Sequence, residues 1–388
     1  MALQAWVGSC KHSFGHAGKI ALLLRLTEIC QDAHVGGRCF GVPEPGALCL
    51  APHSIECPLV KSDGSTGGEI MQAVWLKEFG SPEVLHVQET PDPRPGAGQV
   101  LVEIEFAGIT WIETMFRANG FGPFPAPPMI PGNGVGGTVV EVGSVEHEHL
   151  RGRRVVTGTG GSGGYAQRVV VGAEQVIPIP DGVGTADATA LLADGRTALM
   201  ILAAANVQPG ERVLVEAAAG GVGSLLVQLA RSAGAQVTGA AGGSAKVQVA
   251  SELGAHLAVD YREAGWAEAV RSEVGGVDVV LDGVGGDVAL SAATLLGRGG
   301  RLISFGFSSA SGWPDISDEN AERRGIRVQR GVFGPPEEQT RRAAEALALA
   351  ESGLLKPLIG QQLPLEQAAE AHAAMEARTV LGKTLLVP

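Results

Sequence analysis

Three small residues carry the clearest chemical signal in this chain. Ala217, Gly220 and Gly223 form an A-x-x-G-x-x-G pattern within VLVEAAAGGVGSLLVQLARSAGA, residues 213–235. The stretch predicts a short apolar strand, a tight turn and an amphipathic helix, with a second strand at 236–239. A helix N-terminus presents unpaired N–H groups and local positive charge. Glycine lets the backbone approach a pyrophosphate with no Cβ in the way. The chain carries 57 glycines, so the spacing alone says little. The strand before and the helix after point to a nucleotide site on Ala219, Gly220, Gly221, Val222 and Gly223. A plain strand–helix turn is the alternative.

The end of the second strand refines this. In folds that bind NAD, an acidic residue about 20 positions past the glycines holds the ribose 2′-OH. Here that place is near Ala241, in VTGAAGGSAKVQ. No carboxylate stands there to repel a 2′-phosphate, which favours NADPH over NADH.

The elements around these residues follow an α/β plan. The 388 residues suffice for two domains. From residue 71 to about 190, short alternating runs at 72–76, 99–107, 137–142, 153–156, 165–171 and 175–179 predict a β-rich unit. Residues 112–117 interrupt it as a short helix or loop. From 186 to about 331, strands (212–216, 236–239, 256–259, 277–281, 301–305) alternate with helices (186–206, 223–232, 246–253, 288–296). That is the pattern of a doubly wound parallel sheet. A helix at 337–352 and a final strand at 383–387 close the chain.

Composition narrows the partners. The formal net charge of −12 argues against nucleic acid and anionic membrane. No apolar run of membrane-spanning length, roughly 18–20 residues, is recognised. All five cysteines lie in the first 57 residues, so the rest of the chain has no disulfide framework, which fits a reducing cytoplasm. Residues 1–70 lack periodicity and read as a poorly ordered leader. A metal site from Cys39, Cys49, His53 and Cys57 is the sharper alternative, but its spacing matches no regular zinc module. His147 and His149 read as part of a solvated acidic loop.

The segments MQAVWLKEFGSPEVL, GGYAQRVVV, AAAGGVGSLLVQLA, ELGAHLAVDYRE, ISFGFSS and AHAAMEARTVLGKTLLVP occur in the order seen in a known family. Residues 71–388 resemble the medium-chain dehydrogenase/reductase superfamily, in its zinc-free, zeta-crystallin-like NADPH:quinone oxidoreductase branch. The resemblance implies a GroES-like β-rich catalytic domain, residues 71–192 and 332–388. It also implies a Rossmann NADPH-binding domain inserted at 193–331, and a homodimer built on edge strands of the nucleotide domains. Thr110 and Asn133 then stand where zinc-dependent relatives carry cysteine and histidine, and neither is a good zinc ligand.

Site roles follow from the same resemblance. Gly242, Ser244, Lys246 and Tyr261 are expected around the 2′-phosphate, with Arg262 more simply a surface charge. Thr197, Phe305, Gly306 and Ser308 are expected at the nicotinamide, and Arg378, Gly382 and Lys383 in a segment closing over the cofactor. Exposed or half-buried packing is the plainer alternative for Lys246 and Tyr261, and back-bonding within its helix for Thr197. Where many relatives have Asn-Phe-x-Asp-x-Tyr, this chain has Thr110-Trp111-Ile112-Glu113-Thr114-Met115, followed by Arg117. Thr110 and Arg117 are the catalytic candidates. Trp111, Phe116, Phe121 and Phe124 make either an apolar slot or ordinary core. No side chain is an obvious general acid, so water is the expected proton source. The implied reaction is hydride transfer to a quinone or α,β-unsaturated carbonyl. Reduction of an enoyl thioester and non-catalytic NADPH binding are the alternatives.

Overall fold

The computed structural model describes residues 69–388, so the leader's cysteines and His53 lie outside the described residues. Residues 69 and 70, counted with the expected leader, belong to the described folded unit. Ile70 opens β1 (Ile70–Leu76), which pairs antiparallel with β2 (Leu85–Pro91).

Five more strands follow: β3 (Gln99–Ile109), β4 (Gly134–Val142), β5 (Arg154–Gly158), β6 (Arg168–Gly172) and β7 (Ile177–Pro178). In the middle of β3, buried Val102 and Ile104 alternate with exposed Glu103 and Glu105, and Val100, Val102, Val135, Val139 and Val155 build a common core. The apolar/polar alternation of the sequence is the cause. Residues 111–119 settle as helix α1 (Trp111–Asn119), closed by Gly120 in the left-handed region (φ 79°).

Helix α2 (Thr185–Ala205) runs unbroken through the expected domain division at 192–193. Its 21 residues are long and apolar enough to cross a membrane by composition, contrary to the sequence expectation. Here the helix lies between protein elements. One part packs on β3, β4 and β5, and another on α3 (Gly221–Ser232). Close approach to the later helix α8 is set by Gly195, whose Cβ would lie 2.8 Å from Ala346 Cβ.

The second sheet is parallel throughout. Its strands are β8 (Arg212–Glu216), β9 (Gln236–Ala241), β10 (Leu257–Asp260), β11 (Val277–Asp282), β12 (Leu296–Ser304) and β13 (Arg327–Arg330), in spatial order 10-9-8-11-12-13. Strand order reverses between β8 and β11, so a crevice opens at their carboxyl ends. Helices α3, α4 (Ser244–Glu252), α5 (Trp266–Val274), α6 (Gly286–Ala293) and α7 (Asp318–Arg324) connect them. β13 has the sequence RVQR, too polar to announce itself as a strand, because it is an edge.

Helix α8 (Pro336–Glu351), β14 (Ile359–Pro364), helix α9 (Ala368–Glu376) and β15 (Lys383–Val387) return the chain to the first sheet. There β15 pairs antiparallel with β3, Leu386 opposite Ala107. Segments distant in sequence thus share one sheet.

Candidate active site

Gly220 is the N-cap of α3, and the turn before it bends through Ala217 at φ 49°. Gly223 is sterically required: a Cβ there would lie 2.1 Å from the Ala217 carbonyl oxygen. At Gly221 a Cβ would lie 2.1 Å from Asp194 Oδ2. Gly220 meets nothing closer than 3.2 Å. Its open side is what a closely approaching phosphate needs. The turn is pinned from behind, because Gly382 N–H donates to the Ala219 carbonyl at 2.8 Å.

At the end of β9 the expected residues do converge. Tyr261 packs on Gly242, where an added Cβ would be 3.0 Å from the phenol oxygen. Lys246 Nζ donates to the Arg378 carbonyl at 2.7 Å. Burial, then the charges of Arg262 and Arg378, hold the Lys246 ammonium below its usual range. Three cations therefore repel one another beside Ser244, the first residue of α4. Asp260 answers only Arg262, at 2.9 Å.

The other end is more divided. Phe305 packs its ring on Gly283, and Ser308 N–H donates to the Gly283 carbonyl at 3.1 Å. This stacks the loops after β11 and β12, with Gly306 between. Thr197 gives its hydroxyl hydrogen to the Ala193 carbonyl at 2.7 Å, so the helix itself uses it. Lys383 is not beside Arg378. It is buried, bonds Asp194 Oδ1 at 2.9 Å, and lines a small cavity with Thr110, Asn133, Thr189 and Arg196.

Thr110 caps α1 at that cavity. Its N–H and hydroxyl both donate to Glu113 Oε2, at 2.7 and 2.6 Å, and Asn133 N–H donates to Glu113 Oε1 at 3.0 Å. Glu113 reaching back to the N-cap N–H is one arm of a capping box. Burial raises its carboxyl above the usual range despite these donors. Arg117, expected beside the acceptor, faces away. Its guanidinium donates to the Gly80 carbonyl and to Glu376, tying α1 to α9. Phe116 is core, edge-on to Phe79 (5.3 Å) and Phe124 (5.2 Å). Phe121 instead meets Phe307 (5.9 Å), which meets Trp313 (4.9 Å).

Several residues of this region lie outside the sequence candidates. Asp194 and Arg196 carry a signal in retrospect: two charges flank a glycine inside an apolar helix. Glu216 and Asp282 end adjacent strands at the switch point, both fully buried. Asp282 Oδ1 accepts from Val284 and Gly285 N–H, at 2.9 and 2.7 Å. Burial, then Asp282, pushes the Glu216 carboxyl well up, so it stays a neutral acid. Tyr165 meets His372 Nε2 at 3.1 Å, and burial lowers His372 to about 3. A wider hollow opens at the amino-terminal edge of the parallel sheet. It lies at the opposite end from the glycine turn, and three of its four arginines are engaged: Arg212 with Asp278, Arg301 with Glu211, and Arg271 with the Thr294 carbonyl.

The chain matches the "Alcohol dehydrogenase GroES-like domain" family over residues 96–181 and the "Zinc-binding dehydrogenase" family over residues 253–386. It is 33% identical to the quinone oxidoreductase of Homo sapiens, over 83% of this chain and 99% of that one. To the quinone oxidoreductase of Pseudomonas aeruginosa it is 32% identical, over 80% of this chain and 97% of that one. The chain belongs to the medium-chain dehydrogenase/reductase superfamily, in its zeta-crystallin-like branch. A solved structure of that branch, Escherichia coli quinone oxidoreductase complexed with NADPH, superposes with a TM-score of 0.75 at 31% identity. It covers 82% of this chain and all of its own.

The name of one matched family includes zinc. Among the described residues no three His, Cys, Asp or Glu side chains gather to hold an ion. The Thr110 hydroxyl is committed to Glu113, and neither it nor an Asn133 amide suits zinc.

Proposed function

We propose that this chain is a zinc-independent, NADPH-dependent reductase of quinones or α,β-unsaturated carbonyls, working in the cytoplasm as a homodimer. The observation that carries the cofactor preference is the gathering of Lys246, Arg378 and Arg262 around Gly242 and Ser244, with Ala241 where a carboxylate would exclude a 2′-phosphate. A cation facing phosphate forms a charge-assisted hydrogen bond. The N–H groups of the turn from Ala219 to Gly223 suit the pyrophosphate. Phe305, Gly306 and Ser308 belong at the carboxyl edge of the sheet, where a nicotinamide sits in such folds.

Bound NADPH supplies a hydride from C4 of its nicotinamide. The protein then has to align the acceptor and stabilise negative charge on its oxygen. Thr110 is placed to hydrogen-bond that oxygen. Lys383 and Arg196 line the same cavity, and Asp194 balances Lys383. The edge strands β10 and β13 offer the dimer contact, and Phe333, 89% exposed just beyond β13, supports the latter.

The test is consumption of NADPH and NADH by the full chain and by protein started at Met71, across quinones, enones and enoyl thioesters. Oxidation of NADPH well above NADH with quinones or enones is expected. Turnover confined to thioesters would move the acceptor class. Tight NADPH binding without turnover would leave a binding protein.

A further inference from the structure

Hydride transfer to a carbonyl leaves a negative oxygen that must gain a proton. Thr110 reaches the cavity, but its hydroxyl hydrogen points inward to Glu113 at 2.6 Å. Glu113 itself is only 4% exposed. The charged and titratable groups facing it are already engaged. Lys383 of β15 holds Asp194 of α2. Arg117 of α1 holds Glu376 of α9 and the Gly80 carbonyl. The Tyr165 phenol meets His372 Nε2 of α9 and also lies against Glu113; burial, then the Glu113 charge, pushes it well up, so it supplies no counter-ion. Glu113 thus has backbone donors from Thr110 and Asn133 but no free counter-ion, and burial disfavours its ionised form.

A neutral Glu113 reverses the hydrogen bond. Its Oε2–H donates to Thr110 Oγ1, which frees the threonine hydrogen for the cavity. We propose that Glu113, acting through the Thr110 hydroxyl, stores the proton delivered to the reduced acceptor. The proposal rests on the reductase reading above. The acceptor oxygen takes the hydrogen of Thr110 Oγ1 as that oxygen takes the proton of Glu113 Oε2. One O–H bond forms on the acceptor and one breaks on Glu113, whose electron pair remains as a carboxylate. The hydride supplies both electrons to the acceptor, and solvent returns a proton to Glu113 after product leaves. Glu113 is a positioning residue in this scheme, and Thr110 is the group that touches the acceptor.

The decisive comparison is wild type against Glu113→Gln, Glu113→Asp and Thr110→Val. Wild-type kcat should fall as pH rises and Glu113 ionises. Glu113→Gln and Thr110→Val should be at least tenfold slower and lack that limb, while Glu113→Asp restores it. A second readout needs no dinucleotide. The acid-minus-alkaline infrared difference spectrum should show the carbonyl stretch of a buried carboxylic acid, lost in Glu113→Gln and kept in Glu216→Gln. An active Glu113→Gln enzyme with the wild-type pH profile, or no Glu113 band, overturns the relay alone. A wild type inert toward the whole acceptor panel overturns the reductase reading and the relay with it.

Discussion

At the scale of single residues, the same side-chain types serve opposite ends of the site. Lys246 sits near Arg262 and Arg378 with no carboxylate of its own among the described residues, and burial and those charges already depress its ammonium. An unbalanced cation is costly unless a ligand anion completes it. Lys383 is the contrary case, balanced by Asp194 at 2.9 Å. Lys246→Ala should therefore weaken NADPH, by about 1.5–3 kcal/mol for a hydrogen bond to charge, or roughly 10- to 100-fold. NADH, lacking the 2′-phosphate, should be little affected. Fluorescence titration of both dinucleotides checks this, and equal losses for the two would contradict the assignment.

At the scale of elements, the crevice between β8 and β11 holds an unusual pair of carboxyls. Glu216 is fully buried beside Asp282, and burial, then Asp282, raises its carboxyl well above the usual range. The folded state keeps Glu216 protonated where the unfolded chain, with an ordinary value of about 4.3, releases the proton. Above about pH 4.3 the unfolded state binds fewer protons, and stability falls as pH rises toward the raised folded value, at up to about 1.4 kcal/mol per pH unit. Glu216→Gln keeps a donor toward Asp282 but has no proton to lose. Urea unfolding across that window should show the slope in wild type and its loss in the variant; equal slopes would refute it.

At the scale of the whole molecule, two features join the sheets. Helix α2 contacts both layers, and the C-terminal segment pins the glycine turn through Gly382 before entering the first sheet as β15. The same scale governs assembly. The proposed homodimer contact is the polar edge strand β13 with the exposed Phe333 just beyond it. In the proposed homodimer, Phe333→Asp should shift the protein toward monomer in sedimentation or light scattering, with NADPH affinity retained. A variant still dimeric at the same concentration would place the contact elsewhere.

Local chemistry sufficed to read the strand–turn–helix at Ala217–Gly223, the missing carboxylate at Ala241 and the alternation of β3, because each depends on neighbours within a few positions. β8 and β15 begin and end where their sequences predict. Edge strand β13 escaped because a polar, exposed strand carries little periodicity; helix α5 escaped although Trp266, Val270 and Val274 recur at helical spacing. The turn of buried Arg117 toward α9 depends on Glu376, 259 positions away. The burial of Lys383 depends on Asp194, 189 positions away, and no local pattern encodes such pairs. The sequence by itself determined that a phosphate-bearing dinucleotide suits this turn, since glycine sterics and the absence of charge are local properties. Only the tertiary structure decided what faces the acceptor. Whether a carboxyl is a proton store or a surface charge is set by burial and by partners that arrive from distant strands and helices.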